Sequence, residues 1–141
     1  MSGPDVWGPH GWKFIHYVTL GYPGDPDEND KRNYYNFFET LKNVIPCSIC
    51  GNNFIKHLTI NPLTDKILSN KMSFIEWGIN MHNLTNQENN KKNFSLKEGY
   101  EEIKKDSDDC IVTEGFSTDK NMMLVFMSLM SILLIVYIIR K

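Results

Sequence analysis

Cysteine is scarce in this chain. Three in 141 residues are too few for a disulfide scaffold, so the core must rest on hydrophobic burial. An excess of either charge is missing as well. The 15 Lys and Arg residues nearly balance the 17 Asp and Glu residues, which leaves no basic footprint for nucleic acid. The chain does not open on an apolar run: its first nine residues are polar and include Gly3, Pro4, Gly8 and Pro9. A secretory leader reads differently, and no N-terminal signal peptide is expected. Period-2 alternation and internal repeats are also lacking. The length suits one domain at most.

What remains is helical. Trp12, Ile15, His16, Thr19 and Leu20 recur on one face of a helix expected over 7–20, closed by a turn rich in Gly and Pro. A second helix is expected over 28–44, with Tyr34, Phe37, Phe38, Leu41 and Ile45 as its apolar stripe. Pro46 interrupts and can open the next helix, expected over 47–58 with Phe54, Ile55 and Leu58 inward. A fourth helix is expected from Ser73, read as an N-cap with Glu76 three residues on, to Glu88. A short fifth follows Ser95 over 96–104. The expected class is all-α: a four-helix bundle plus a short fifth helix.

Beyond this domain (1–104), residues 105–121 read as a polar linker. Residues 122–139 carry no charge and two serines only. About 18 residues at roughly 1.5 Å each reach about 27 Å, enough for a bilayer core. Asp119 and Lys120 precede the run and Arg140 and Lys141 follow it. A C-terminal transmembrane helix is expected there, since a core helix would show a polar stripe.

The chemistry lies in Cys47-Ser48-Ile49-Cys50. Two sulfurs one helical turn apart can close a small disulfide ring, and the helix N-terminus stabilises a thiolate on the first. Taken alone the pattern fits a disulfide exchanger, half a zinc site or unlinked structural cysteines. A zinc site needs two further ligands, and neither Cys110, His57 nor His82 offers a second pair at ligand spacing, so no metal is expected. A thioredoxin-like fold needs strands beside the CxxC helix, whereas residues 34–42 have helical spacing. As a redox pair, Cys47 suits attack by an outside thiolate and Cys50, one turn inside, suits a buried acceptor. Downstream, Trp77, His82, Asn83 and Asn86 put a ring and several hydrogen-bonding groups on neighbouring turns, a wall for a planar polar cofactor. His82 and Asn86 share a face at i, i+4. Trp77, Phe37 and Phe38 are expected as core aromatics, and His57 as a surface or partner-facing residue.

Four blocks in order resemble the Erv/augmenter-of-liver-regeneration family of flavin-linked sulfhydryl oxidases. They are Trp7-Gly8 with Trp12 and His16, followed by Tyr22-Pro23; Phe37-Phe38 with Pro46-Cys47-Ser48-Ile49-Cys50; Trp77 with His82-Asn83 and Asn86; and Lys91-Lys92 with Phe94. They span almost all of the sequence before the linker, and the small size is similar to the versions carried by large DNA viruses. The resemblance implies a helical bundle with FAD at one end, its flavin beside the CxxC. Carried over, Trp12 and His16 contact the flavin and Gly8 lets backbone approach it. His82, Asn83 and Asn86 hold the adenine and ribose side, Lys91 meets the pyrophosphate, and Tyr22 is a further contact. Cys50 pairs with the flavin and Cys47 exchanges with substrate.

The activity so implied is that of a thiol oxidase. A protein dithiol reduces the Cys47–Cys50 disulfide, FAD takes the electrons, and oxygen leaves as hydrogen peroxide. The implied partners are thiol-bearing proteins, thioredoxin-like ones among them, together with oxygen and a second copy of the chain. A tail anchor would place the domain on the cytosolic side of a host or virion membrane, where disulfides are otherwise rare. The competing expectation is a non-enzymatic, tail-anchored helical adaptor. Some features depart from the family. Thr59 and Ile79 stand where cellular members carry a second, structural disulfide. Glu88 stands where a lysine is frequent. Cys110 is alone, so it cannot serve as an intramolecular shuttle pair. Asp106, Asp108 and Asp109 surround it, a poor setting for a thiolate, and it is expected to be dispensable for small dithiols.

Overall fold

The computed structural model describes residues 3–111, with side chains to residue 105. The expected membrane span at 122–139 and most of the expected linker lie outside the described residues. Six helices and no strand occur among them: α1 (Pro4–Leu20), α2 (Glu28–Val44), α3 (Ser48–Ile60), α4 (Asp65–Leu68), α5 (Lys71–Glu88) and α6 (Leu96–Ile111). The chain divides into two units, 1–107 and 108–141. Of the second, only the end of α6 is described.

Local chemistry sets the helix ends. Pro4 opens α1 at the position where a missing N–H costs nothing, so the helix begins earlier than its apolar stripe. Asp27 caps α2 by accepting from the Asn29 and Asp30 N–H groups, while Asp30 accepts from the Asp27 N–H. α5 starts at Lys71 rather than Ser73, because the Asn70 side chain accepts the Ser73 N–H and is the true cap. Ser95 and Glu98 exchange the two bonds of a capping box at the start of α6. That helix continues past Lys104 to Ile111, so the expected boundary at 104 does not mark its end. The single turn of α4, capped by Thr64, is too short to leave a periodic signal.

α5 is the central helix. One side, with Phe74, Trp77 and Met81, enters a core with Ile15, Tyr22, Phe38, Phe54, Leu63 and Leu68. Its other side, with Ile75 and Ile79, meets Ile103 of α6. Two glycines allow close approach to α5: a Cβ on Gly78 would stand 3.0 Å from Thr19 Cγ2 of α1, and one on Gly99 of α6 would stand 2.9 Å from Ile79 Cδ1. Leu20 of α1 packs with Ile75 and Ile79, whereas Trp12, Ile15 and the expected stripe of α2 face the first core. On α3, Phe54 and Leu58 do so, but Ile55 is 42 % exposed. Gly51 and His57 take the inward places instead. A Cβ on Gly51 would lie 3.3 Å from the Lys42 carbonyl oxygen, so a small residue lets α3 pack tightly on the end of α2.

Candidate active site

The first half of α1, the N-terminus of α3, the C-terminus of α5 and the loop beyond it enclose a cavity of about 910 Å³. That is at the upper end of the roughly 300–1,000 Å³ common for small-molecule and cofactor sites. Its wall is mostly apolar, with a few polar groups that converge.

The redox pair forms one edge. The Cys47 N–H donates to the Ile45 carbonyl at 2.7 Å, a tight bend that Pro46 supports. Cys47 is the N-cap of α3, and its Sγ accepts the Cys50 N–H at 3.2 Å. Cys47 and Cys50 are joined as a disulfide, and both line the cavity. Both are half-buried, so exposure alone does not distinguish them. The helix N-terminus does, since negative charge on Cys47 is the better stabilised.

Opposite stand three rings. Trp12 and His16 lie one turn apart on α1, and His82 reaches them from α5. Trp12 stacks on His82 with centroids 4.5 Å apart and planes 7° off parallel. His16 Nε2 and His82 Nδ1 share a hydrogen bond of 2.9 Å. Burial pushes His16 down to about 4, and burial, with His16 and Lys91 nearby, does the same to His82. Both rings are therefore neutral at pH 7, and one donates to the other. His16 Nδ1 and Trp7 Nε1 are buried with no hydrogen-bond partner. Unpaired buried polar atoms are rare in native proteins, and in a cavity wall they mark where a ligand's polar groups belong.

The far end is polar. Asn90 has φ 51°, the left-handed conformation that ends many helices. The chain turns back so that the Lys91 N–H donates to the Asn86 carbonyl at 2.8 Å. Lys91 then borders the cavity with no ion pair among the described residues. Lys92 is committed elsewhere: its ammonium lies 2.8 Å from Glu98 and, with the Ser95 hydrogen bonds, holds that carboxyl down to about 2.

Eight of the expected site residues therefore converge on the cavity: Gly8, Trp12, His16, Cys47, Cys50, His82, Asn86 and Lys91. Two do not. Tyr22 is fully buried in the core, its hydroxyl donating to the Leu68 carbonyl at 2.6 Å. Asn83 clasps the Phe94 backbone, Oδ1 accepting its N–H and Nδ2 donating to its carbonyl, both at 2.8 Å. His57 is corrected too. It is 2 % exposed, with Nε2 3.2 Å from Glu88. Trp7, Asn53 and Glu88 line the cavity without having been assigned to it. For Trp7 a signal existed, because it opens the first of the four resembling blocks.

Residues 9–107 match the Erv1 / Alr family. The chain belongs to this family. Among its relatives is a protein of Acanthamoeba polyphaga mimivirus named as a probable FAD-linked sulfhydryl oxidase. It is 43 % identical over 102 residues, covering 72 % of this chain and 71 % of that one. The mitochondrial FAD-linked sulfhydryl oxidase ERV1 of Saccharomyces cerevisiae is 25 % identical over 111 residues, covering 72 % of this chain and 57 % of the yeast protein. The solved core of yeast Erv1 superposes with a TM-score of 0.67 at 21 % identity, over 74 % of this chain and 86 % of that one. The FAD-binding domain of Saccharomyces cerevisiae Erv1 gives 0.68, again at 21 % identity, over 74 % and 97 %. These two structures establish the Erv1 core fold.

Proposed function

We propose that this Erv1 / Alr family member is an FAD-dependent thiol oxidase that makes disulfide bonds in protein clients. The observation that carries the reading is a disulfide at a helix N-terminus opening onto a cofactor-sized cavity with orphaned buried nitrogens.

The cavity fits the cofactor. Trp12 and His82 offer stacking faces, and His16 Nδ1 and Trp7 Nε1 offer unpaired polar atoms. A Cβ on Gly8 would meet nothing within 4 Å, so the backbone there is open to a ligand. Lys91 supplies a cation for phosphate. When bound, FAD accepts two electrons at a time and passes them to oxygen, which is released as hydrogen peroxide. The protein's part is thiol exchange. A client thiolate attacks Sγ of Cys47, the Cys47–Cys50 bond breaks, and Cys50 leaves as a thiolate. The second client thiol then attacks the client sulfur of the mixed disulfide and expels Cys47. The α3 N-terminus receives that leaving charge. The client gains a disulfide, and the pair holds two electrons as a dithiol. The neutral His16–His82 pair adds no cation to the wall.

The membrane part of the reading rests on the sequence. Residues 122–139 are long and apolar enough to anchor the chain, with the oxidase domain on the cytosolic side of a host or virion membrane. Exposed apolar side chains on α1 and α2, namely Val6, Phe14 and Tyr35, support assembly with a second copy.

The test is the purified full chain. It is expected to be yellow with bound FAD and to consume oxygen with dithiothreitol. Cys47→Ser and Cys50→Ser are each expected to abolish turnover while leaving the colour. Folded but colourless protein from flavin-replete cells would falsify the oxidase reading and favour a non-enzymatic adaptor.

A further inference from the structure

From Asn53 to its C-cap Asn61, α3 is tied to α5 by polar side chains at four-residue spacing. Asn53 Nδ2 donates to Glu88 Oε2 at 2.8 Å. His57 Nε2 lies 3.2 Å from Glu88 Oε1, and His57 Nδ1 lies 3.5 Å from Thr85 Oγ1. Asn61 and Trp77 exchange two bonds: the indole N–H donates to the Asn61 carbonyl at 3.0 Å, and Asn61 Nδ2 donates to the Trp77 carbonyl at 3.4 Å. The Glu88 carboxylate is thus gripped from both oxygens by two side chains of the helix that bears the redox pair. One gripping side chain, His57, is 2 % exposed. The other, Asn53, lies one turn from Cys50 and, like Glu88, lines the cavity.

We propose that Glu88, clamped by Asn53 and His57, is a positioning residue for electron passage out of the Cys47–Cys50 pair, because it seats the CxxC helix against the cofactor cavity. This rests on the flavin-oxidase reading and adds a residue to it. The apolar contacts of α3, made by Phe54 and Leu58, are non-directional and tolerate small rotations. Hydrogen bonds to a carboxylate are directional and stronger than neutral ones. A satisfied polar network of this kind, anchored on the buried His57 and partly exposed at Glu88, favours one arrangement of two helices over others of similar packing energy. Cys50 and Asn53 sit at i, i+3, so fixing Asn53 fixes the sulfur above it. Reaction rates depend steeply on such placement, and a displacement of about 1 Å can cost about 100-fold.

The experiment uses the flavin-loaded full chain and the variants Glu88→Ala, Glu88→Gln and Asn53→Ala. Anaerobic bleaching of the flavin by dithiothreitol reports electron passage. Acid-quenched thiol labelling reports reduction of the Cys47–Cys50 disulfide itself. Glu88→Ala is expected to slow bleaching by about tenfold or more, equivalent to about 1.4 kcal/mol, with FAD content and the rate of disulfide reduction kept. Glu88→Gln, which retains an acceptor for His57 Nε2–H, is expected to recover most of the rate. Asn53→Ala, which removes one bond, is expected to lose about threefold. Bleaching at the wild-type rate in Glu88→Ala overturns the proposal. So does an equal slowing of disulfide reduction, which marks a general loosening of the fold. If Glu88→Ala does not fold, Asn53→Ala decides, and an unchanged rate there overturns the proposal. Wild-type protein without flavin overturns the parent reading, and this one with it, before any variant is compared.

Discussion

Two rings of the cavity wall, His16 and His82, stay neutral to a lower pH than they would in water. His16 and His82 both have folded values of about 4 against about 6.5 unfolded. Between these values the unfolded chain binds more protons than the folded one, so stability falls as pH falls. The contribution of the pair is complete above about pH 6.5 and is lost as the pH drops through about 4. For two coupled, partly exposed rings it amounts to a few kcal/mol at most. Thermal melts at stepped pH are expected to show a falling Tm across that window, and the fall is expected to be shallower in His16→Gln/His82→Gln. Equal slopes for the two proteins would place the proton uptake elsewhere. The motif residues on α1 were legible because Trp12 and His16 lie in one helix at i, i+4. The contact of His16 with His82 was not, since it joins residues 66 apart in the chain.

Elements and the turns between them carry a second kind of information. Asn83 is bound to the Phe94 backbone by two hydrogen bonds and so closes the loop that carries Lys91 past the cavity. Asn83→Ala leaves the Phe94 N–H and carbonyl unpaired in a half-buried site and is expected to cost about 2–3 kcal/mol. Urea unfolding measures this, and a change under about 0.5 kcal/mol would show that water replaces the amide there. The ligand role of Asn83 came from its place beside His82 in a block that resembles the family, and a block carries no record of the tertiary contacts around it. The loop that claims it has no periodic pattern to announce itself. Tyr22 failed in the same way, since a tyrosine beside a turn gives no sign that Leu68, 46 residues on, will take its hydroxyl. α2 was legible in full, because its aromatic stripe and its ends agree. Ser73 and Glu76 imitate a capping box, but Asn70 lies nearer the start of the helix and wins. His57 was read as surface because its anion, Glu88, belongs to another helix.

For the whole molecule, the expected anchor and the described structure concern different parts of the chain. The anchor reading comes from residues 122–139 alone, and among the described residues no helix is long and apolar enough to cross a membrane. Deleting 122–141 is expected to release the protein from membranes and to leave dithiothreitol oxidation within about twofold. Retention of the truncated form after carbonate extraction would count against the anchor. Within 1–107, α5 belongs to both apolar clusters and also carries His82 and Asn86 in the cavity wall. The first cluster holds α5 against α1, α2 and α3, whereas α6 meets it through the smaller second cluster. The helices of the first cluster are therefore expected to melt together, with α6 free to fray before them. A cofactor held against α5 is then a thermodynamic partner of every helix packed on it, so its release on heating reports the melting of that helical core.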